Sequence, residues 1–467
     1  MLLEKNALNL HSRNSKDYVM PRRVFISVLG TGFYGSCQYK RGKFASTKTR
    51  FIQQATLEYL KVKEGWTEAD RVLILLTDGA RKTNWEKSIE KRRNFKTGEE
   101  EPYLGLEQVI DDMQLAAPVQ TIAIPDGKDE DEMWEIFNAL YEELKPGDEL
   151  YFDLTHSFRY LPMLVLVLGN YAKFLKDVSV KHISYGNYEA RDLQTDIAPL
   201  MDILPLTILQ DWTFAAADLI RNGNTKRLQN LRESYALMPL LRMKGKSNLD
   251  RKVAEQPLTG YIDALESLLQ DMKMCVAPNI IKGEAVNSIR DHYQQVINAF
   301  EMVIAPIPPI LERIEESLKG FEQTDRDQPE SLRNGYEAAK WCYDHQLYQQ
   351  AITILEENIT THFCQYLGTD EHVYEQRKAT NAYLRHGSYK DKDWETEELT
   401  KVRSTVKRAS SQLEVGAFIY KMSDVARWIH DKRNTYNHAS MGRDDQLTSE
   451  DIKTLGKKIT SILNLIK

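Results

Sequence analysis

The sequence predicts an α/β N-terminal domain built on a parallel sheet, followed by all-α middle and C-terminal helical domains. Three observations predict it. Short β-branched runs recur through the first 200 or so residues without polar alternation, segments of helical spacing separate them, and after Pro205 the strands stop. The chain has 467 residues, room for about three typical domains. Hydrophobic residues at 42% and charged residues at 28% rule out a wholly disordered chain and supply more than one core. Gly 23 and Pro 15 together fall below the usual share of about 12%, which leans toward helix.

The elements follow in order. Residues 1–20 carry no clear periodicity and read as a leader, disordered or surplus. Val24–Leu29 (VFISVL) is the first strand, and Gly30-Thr31-Gly32 follows it. Lys48–Val62 has helix-compatible spacing through Phe51, Ala55, Leu57, Tyr59 and Leu60. Val72–Leu76 (VLILL) is a second strand, ended by Thr77-Asp78-Gly79. Gln120–Ile124, Glu149–Asp153 and Ser179–Tyr185 are further strands with acidic helical stretches between them, so the α/β domain covers 21–205. From Leu206 to about Gly320 the pattern is amphipathic helix, broken at Pro306-Ile307-Pro308-Pro309. Phe321–Glu330 is polar and reads as a linker, which bounds a middle helical domain at 206–330. Ser331–Leu367 and Thr400–Lys467 are helical again, and 331–467 is the last domain.

Several classes are excluded. The net charge of −6 gives no global basic field, so any nucleic-acid contact is local. Cys37, Cys275, Cys342 and Cys364 are widely separated, against a disulfide framework or a thiolate zinc site. The longest apolar run, Leu161–Leu168, contains Pro162 and is too short to span a bilayer. No apolar h-region opens the chain, and the expectation is a soluble cytoplasmic protein.

In an open parallel sheet, ligands bind at the carboxyl ends of the strands. Three segments fall there. In LGTGFYG, Gly30, Gly32 and Gly35 satisfy GxGxxG after a strand, which lets backbone amides approach a phosphate. Its context is poor for a dinucleotide, because the helical pattern starts only near Lys48 and no strand ends in an acidic residue about 20 positions on. No GxxxxGK[ST] is present, against a P-loop NTPase. Thr77-Asp78-Gly79-Ala80, with Trp85 beyond it, reads equally as a strand-ending turn. DLTHSFRYLP (Asp153–Pro162) offers hydroxyls, an imidazole and a guanidinium at one strand end. Alternatively, Arg159 pairs with Asp153 and His156 caps the next helix. A shared sheet edge with LGTGFYG favours a ligand site.

Together LGTGFYG, LTDGA with its following tryptophan, and DLTHSFRYLP resemble the CARF sensor domain of type III CRISPR-associated accessory ribonucleases over about residues 21–205. The resemblance implies a Rossmann-like dimer binding a cyclic oligoadenylate across its two-fold axis. Backbone amides of Gly30, Thr31 and Gly32 would then meet phosphates and Arg159 would add charge. Phe33 or Tyr34 would pack against a base, while hydroxyls of Thr31, Thr155 and Ser157 would read ribose or adenine edges. Thr77, Asp78, His156 and Phe158 complete the expected ligand-binding set. The residues themselves do not fix the ring size at four or six; resemblance to the THxFR-bearing branch of the family implies a ring of four, cyclic tetra-adenylate, as activator.

Near the C-terminus, Trp428–Met441 (WIHDKRNTYNHASM) places Arg433 five residues before His438. On an ideal helix the two stand about 140° apart, whereas Asn434 and His438 share a face. Following a helix with Glu356 and Glu357, this segment resembles the Arg-x4–6-His signature of the HEPN ribonuclease domain over about 331–467. The resemblance implies Arg433, His438 and Asn434 as catalytic residues, a composite homodimer site (assembly beyond a dimer left open), single-stranded RNA as substrate, and neither metal nor other cofactor. His430 reads as packing or support. Arg377, Lys378, Arg385, Lys390, Lys392, Lys401, Arg403, Lys407 and Arg408 read as a solvated surface or an RNA track. Residues 368–400 read as a mobile insertion near the site. Two rival readings stay open: a ligand-sensing regulator contacting DNA or protein without catalysis, and a ring nuclease using Thr155 and His156.

Overall fold

The computed structural model describes residues 20–86, 90–93, 98, 100–156, 160–233, 248–301, 307–386, 400, 404, 413–437 and 448–466. The chain divides into two compact units, Met1–Ile208 and Leu209–Lys467. The leader over 1–19 lies outside the described residues.

The first unit is a mostly parallel sheet with helices. Its strands are β1 (Arg23–Leu29), β2 (Cys37–Arg41), β3 (Phe44–Thr49), β4 (Arg71–Leu76), β5 (Glu90–Arg93), β6 (Glu100–Tyr103), β7 (Val119–Ala123), β8 (Glu149–Asp153), β9 (Ser179–Gly186) and β10 (Ile197–Asp202). Eight of them form one sheet in the order β3-β2-β10-β9-β8-β1-β4-β7. The run β9-β8-β1-β4-β7 is parallel, and β1 lies between β8 and β4, with Ser27 beside Asp153 and Ile74. Every residue of β1 from Val24 to Leu29 is buried, as expected for a strand covered on both faces. Phe25 and Leu29 pack with Val72, Ile74, Leu57 and Trp85 in one core cluster. At the amino-terminal edge, Arg22 pairs with Asp148 and Arg23 with Asp70 (2.5 and 2.7 Å). These pairs fasten that edge, and the polar groups of the opposite edge are left to the site.

Three parts of this unit differ from the sequence expectation. Lys48 and Thr49 belong to β3, and the helix expected from Lys48 starts at Ile52 as α1 (Ile52–Tyr59). Polar β2 and β3 form an antiparallel hairpin, in which CQYKR buries only Cys37 and Tyr39 and FASTKT only Ser46 and Thr49. Strand β10 runs antiparallel to β9 and parallel to β2, so the sheet is mixed at that side. The remaining helices of this unit are the short turns α2 (Val62–Gly65) and α3 (Asp78–Ala80), then α4 (Leu106–Met113), α5 (Glu130–Glu143) and α6 (Leu161–Lys176). A π-helical turn, Arg81–Trp85, directly follows α3.

After β10 the described elements are all helical: α7 (Leu204–Asn222), α8 (Lys226–Glu233), α9 (Asn248–Lys273), α10 (Ala277–Lys282), α11 (Glu284–Glu301), α12 (Pro308–Ser317), α13 (Leu332–Asp344), α14 (Tyr348–Leu367), α15 (Tyr374–His386), α16 (Leu413–Asn437) and α17 (Ser449–Leu465). Helices α9 and α11 pair, α13 packs on α14 and α17, and α16 packs on α14 and α15. Gly335 lets α13 meet α14 closely: a Cβ there would lie 2.0 Å from Asn358 Oδ1. Part of the segment read as an insertion, Tyr374–His386, is helix α15 packed within this unit. No described helix is long and apolar enough to cross a membrane.

Candidate functional site

The carboxyl edge of the first unit carries a polar crevice built on a buried network. Asp153 ends β8 with its carboxylate fully buried. It accepts from Ser27 Oγ (2.7 Å), Thr155 Oγ1 (2.6 Å) and the Thr155 amide (3.3 Å). Thr155 Oγ1 in turn accepts from the Gly186 amide (2.8 Å), tying the end of β8 to the end of β9. Gln53 on α1 donates to Ser27 Oγ and Val28 O (3.1 Å each). Among the described residues no cation sits in this network, and burial dominates, pushing the Asp153 carboxyl up to about 6 against those hydrogen bonds.

Asn84 pins the glycine loop over this floor. Its Nδ2 donates to Gly30 O (2.8 Å) and Gly32 O (2.9 Å), and its Oδ1 accepts from Tyr103 Oη (2.8 Å). Any side chain at residue 30 would press on the Tyr34 hydroxyl, since a Cβ there would sit 2.7 Å from Tyr34 Oη. The Tyr34 ring stacks on His156, with centroids 3.9 Å apart. Burial pushes the Tyr34 hydroxyl well above its ordinary value and brings His156 down to about 4, so the imidazole is neutral at physiological pH. His156 Nε2 is buried without a hydrogen-bond partner among the described residues.

A cavity of about 290 Å³ opens beside these groups. Of the residues expected at a ligand site, Phe33, Tyr34, Thr155 and His156 line it. Tyr39, Arg50, Tyr185, Gly186, Tyr188 and Glu189 line it too, together with Gly35. Sequence reading missed those six because they lie away from the three motifs along the chain. A Cβ on Gly35 would fall 2.0 Å from Tyr188 Oη, and Arg191 covers the Tyr188 ring at 4.0 Å. The Arg50 guanidinium stands 5.1 Å from the Tyr103 ring and 6.0 Å from Phe33, itself 39% exposed. Gly30, Thr31 and Gly32 form the neighbouring loop without lining the cavity. Thr77 is buried and caps α3 by accepting from the Ala80 amide, and Asp78 is exposed in that turn; neither lines the cavity. Ser157, Phe158 and Arg159 lie outside the described residues.

Two details revise the expected roles. His156 covers one face of Tyr34, and Phe33 stacks on Tyr103 with centroids 5.7 Å apart, so each of the two rings already has one face engaged. The Thr155 hydroxyl already spends its proton on Asp153, so toward a ligand it offers only a lone pair.

The helical unit holds a second cluster. Glu356 on α14, 4% exposed, accepts from His430 Nδ1 through Oε1 (3.0 Å) and from Arg433 Nη1 through Oε2 (3.0 Å). Glu357 Oε1 lies 3.4 Å from the same Nη1, and its Oε2 pairs with Arg377 at 2.7 Å. Arg377 on α15 also donates to Glu357 O and Thr361 Oγ1. The structure thus joins Arg433 to His430, the histidine that sequence reading set aside, through a glutamate. The backbone of Asn434 lies in α16, its side chain and all of His438 lie outside the described residues, and no arrangement of the three expected catalytic residues is described.

Residues 24–189 match the model of the CARF domain of CRISPR system endoribonuclease Csx1. The chain is also 25% identical over 416 residues to "CRISPR-associated protein MJ1674" of Methanocaldococcus jannaschii, an alignment covering 79% of this chain and 58% of that protein. The two findings support a CRISPR-associated protein with a CARF domain.

Proposed function

Starting from that CARF match, we propose that the chain is a cyclic oligoadenylate-activated endoribonuclease of type III CRISPR defence. The observation that carries the reading is the cavity at the carboxyl edge of the sheet, which lies within the matched segment and gathers groups from the ends of β1, β8 and β9. Its aromatic rings suit bases and the Arg50 guanidinium in its wall suits a phosphate, and neutral His156 with an unpartnered Nε2 suits a polar edge of adenine. A two-fold symmetric ring of four adenylates would be shared by a homodimer presenting this crevice twice.

The helical unit would perform the cleavage. RNA carries its own nucleophile, the 2′-hydroxyl, which attacks the adjacent phosphate and leaves a 2′,3′-cyclic phosphate and a 5′-hydroxyl. The protein then has to orient the single strand, move protons and offset the charge developing on the phosphorus oxygens. Arg433 would stabilise that charge, His438 would exchange the proton, and Asn434 would orient a phosphate. None of these roles requires a metal. Activator binding would shift the dimer toward the arrangement in which two such sets converge.

The test is cleavage of a fluorogenic single-stranded RNA in EDTA, with and without each ring size. Strong activation by one ring, abolished in His438→Ala, is expected. Silence with every ring would remove the sensor half, and activated cleavage that survives His438→Ala would remove the catalytic assignment. The competing regulator reading draws on the ion pairs that already engage Arg433 Nη1, and it requires that no RNA be cut.

A further inference from the structure

Resting on the ribonuclease reading above, we infer that Glu356 is the positioning residue for Arg433: it holds one end of the guanidinium so that the Nε edge faces the phosphate. Three observations converge on it. The Glu356 carboxylate is almost wholly buried, a place where an anion persists only when fully partnered, and both its oxygens are used, one by His430 and one by Arg433. Glu357 reinforces the same Nη1 and is itself anchored to α14 by Arg377, which spans Glu357 and Thr361. Arg433 Nε, in contrast, is buried and has no hydrogen-bond partner among the described residues.

Buried donors are almost always paired, so an orphan on a guanidinium that is otherwise held from one side needs an acceptor. The Nε edge of arginine is one of its two-pronged faces for an oxyanion. A carboxylate on Nη1 and a phosphoryl oxygen at Nε occupy different donors and do not compete. His430, three residues before Arg433 on α16, holds the other oxygen of Glu356 and stops the carboxylate from turning away. The arrangement also answers why an arginine with two acidic neighbours would still attract an anion: Arg377 and Arg433 balance Glu356 and Glu357, so the four together carry no net negative charge.

Glu356→Gln in the full-length chain is the test. It keeps the volume and one acceptor while removing the charge. Expected in the folded variant is a kcat for activated RNA cleavage at least tenfold lower, with KM within threefold of wild type and unchanged affinity for the cyclic activator, alongside a lowered melting temperature. Glu356→Asp, which restores charge at shorter reach, should recover part of kcat. Glu357→Gln, at a position 35% exposed and therefore safe for folding, should show the same signature at about two- to fivefold. Should Glu356→Gln not fold, the Glu357 variant decides alone. Wild-type kcat in the folded variants, or a loss expressed in KM or activator binding, would overturn the inference while leaving the ribonuclease reading intact. A wild-type chain that cuts no RNA would overturn both.

Discussion

Two buried groups under the N-terminal crevice titrate in opposite senses, and separating them is a demanding check on the site's electrostatics. Asp153 is raised from 3.8 to about 6, so the folded state holds its proton more tightly than the unfolded chain. Stability from this group is greatest at low pH and is lost as pH rises from about 4 to about 6. His156 is lowered from 6.5 to about 4, so the folded state resists protonation, and stability from it is lost as pH falls from about 6.5 to about 4. At about 1.4 kcal/mol per pH unit, acidifying from pH 7 to pH 4 returns about 2 kcal/mol through Asp153 and removes about 3 kcal/mol through His156. In the wild type the two nearly cancel. Asp153→Asn keeps the volume, and the Ser27 hydroxyl can turn to accept from its amide. This variant should lose about 3 kcal/mol from the same pH change, a drop of about 6–12 °C in a unit of this size. His156→Gln should instead gain about 2 kcal/mol, and the double variant should be insensitive to this pair. Calorimetry of all four proteins across pH 4–7 reads the differences, since every other titrating group is common to them. Four parallel profiles would refute the reasoning.

Three further outcomes follow from the same crevice. Asn84→Ala removes the donor to the Gly30 and Gly32 carbonyls and the acceptor of the Tyr103 hydroxyl and should cost about 3 kcal/mol, read as a lower melting temperature together with weakened binding of a cyclic oligoadenylate in calorimetric titration. Gly35→Ala places a methyl against Tyr188 and should displace that ring from the cavity wall, weakening activator binding at least tenfold while shifting the melting temperature by under about 4 °C; equal binding would show that Tyr188 is not a wall the ligand uses. Thr155→Val preserves shape but leaves the Gly186 amide without its acceptor, and should cost about 1–3 kcal/mol in urea unfolding.

The elements that were legible in the sequence are those whose burial is written in composition. VFISVL and VLILL are buried along their whole length, so their runs are almost wholly apolar, with Ser27 the one polar residue. The β2–β3 hairpin was not legible because each strand buries only two residues, and its lysines and threonines resemble a polar helix start. Strand β10 carries Pro199 and Asp202, which mask its apolar positions. At the crevice, Tyr34, Thr155 and His156 follow their strands directly, and strand-end logic located them. Arg50, Asn84 and Tyr188 are brought in by pairings and turns that no local pattern encodes. In the helical unit, Glu356 was visible as a residue, but only the packing of α14 on α16 reveals that it joins His430 to Arg433.

The position of β2 has a consequence for how the protein is made. Gln38 pairs with Ile197, so the strand that follows the glycine loop waits for a partner about 160 residues later in the chain. At a synthesis rate of 5–20 residues per second, that interval is roughly 8 to 32 s. Throughout it β2 and β3 form an unsupported hairpin, a motif that is marginal by itself in water. The crevice wall containing Tyr185 and Tyr188 appears only at the end of this wait, so a ribosome-bound nascent chain shorter than about 200 residues has the glycine loop but no closed sheet behind it. Competence to bind a ligand therefore arrives late in translation, after nearly the entire first unit has emerged.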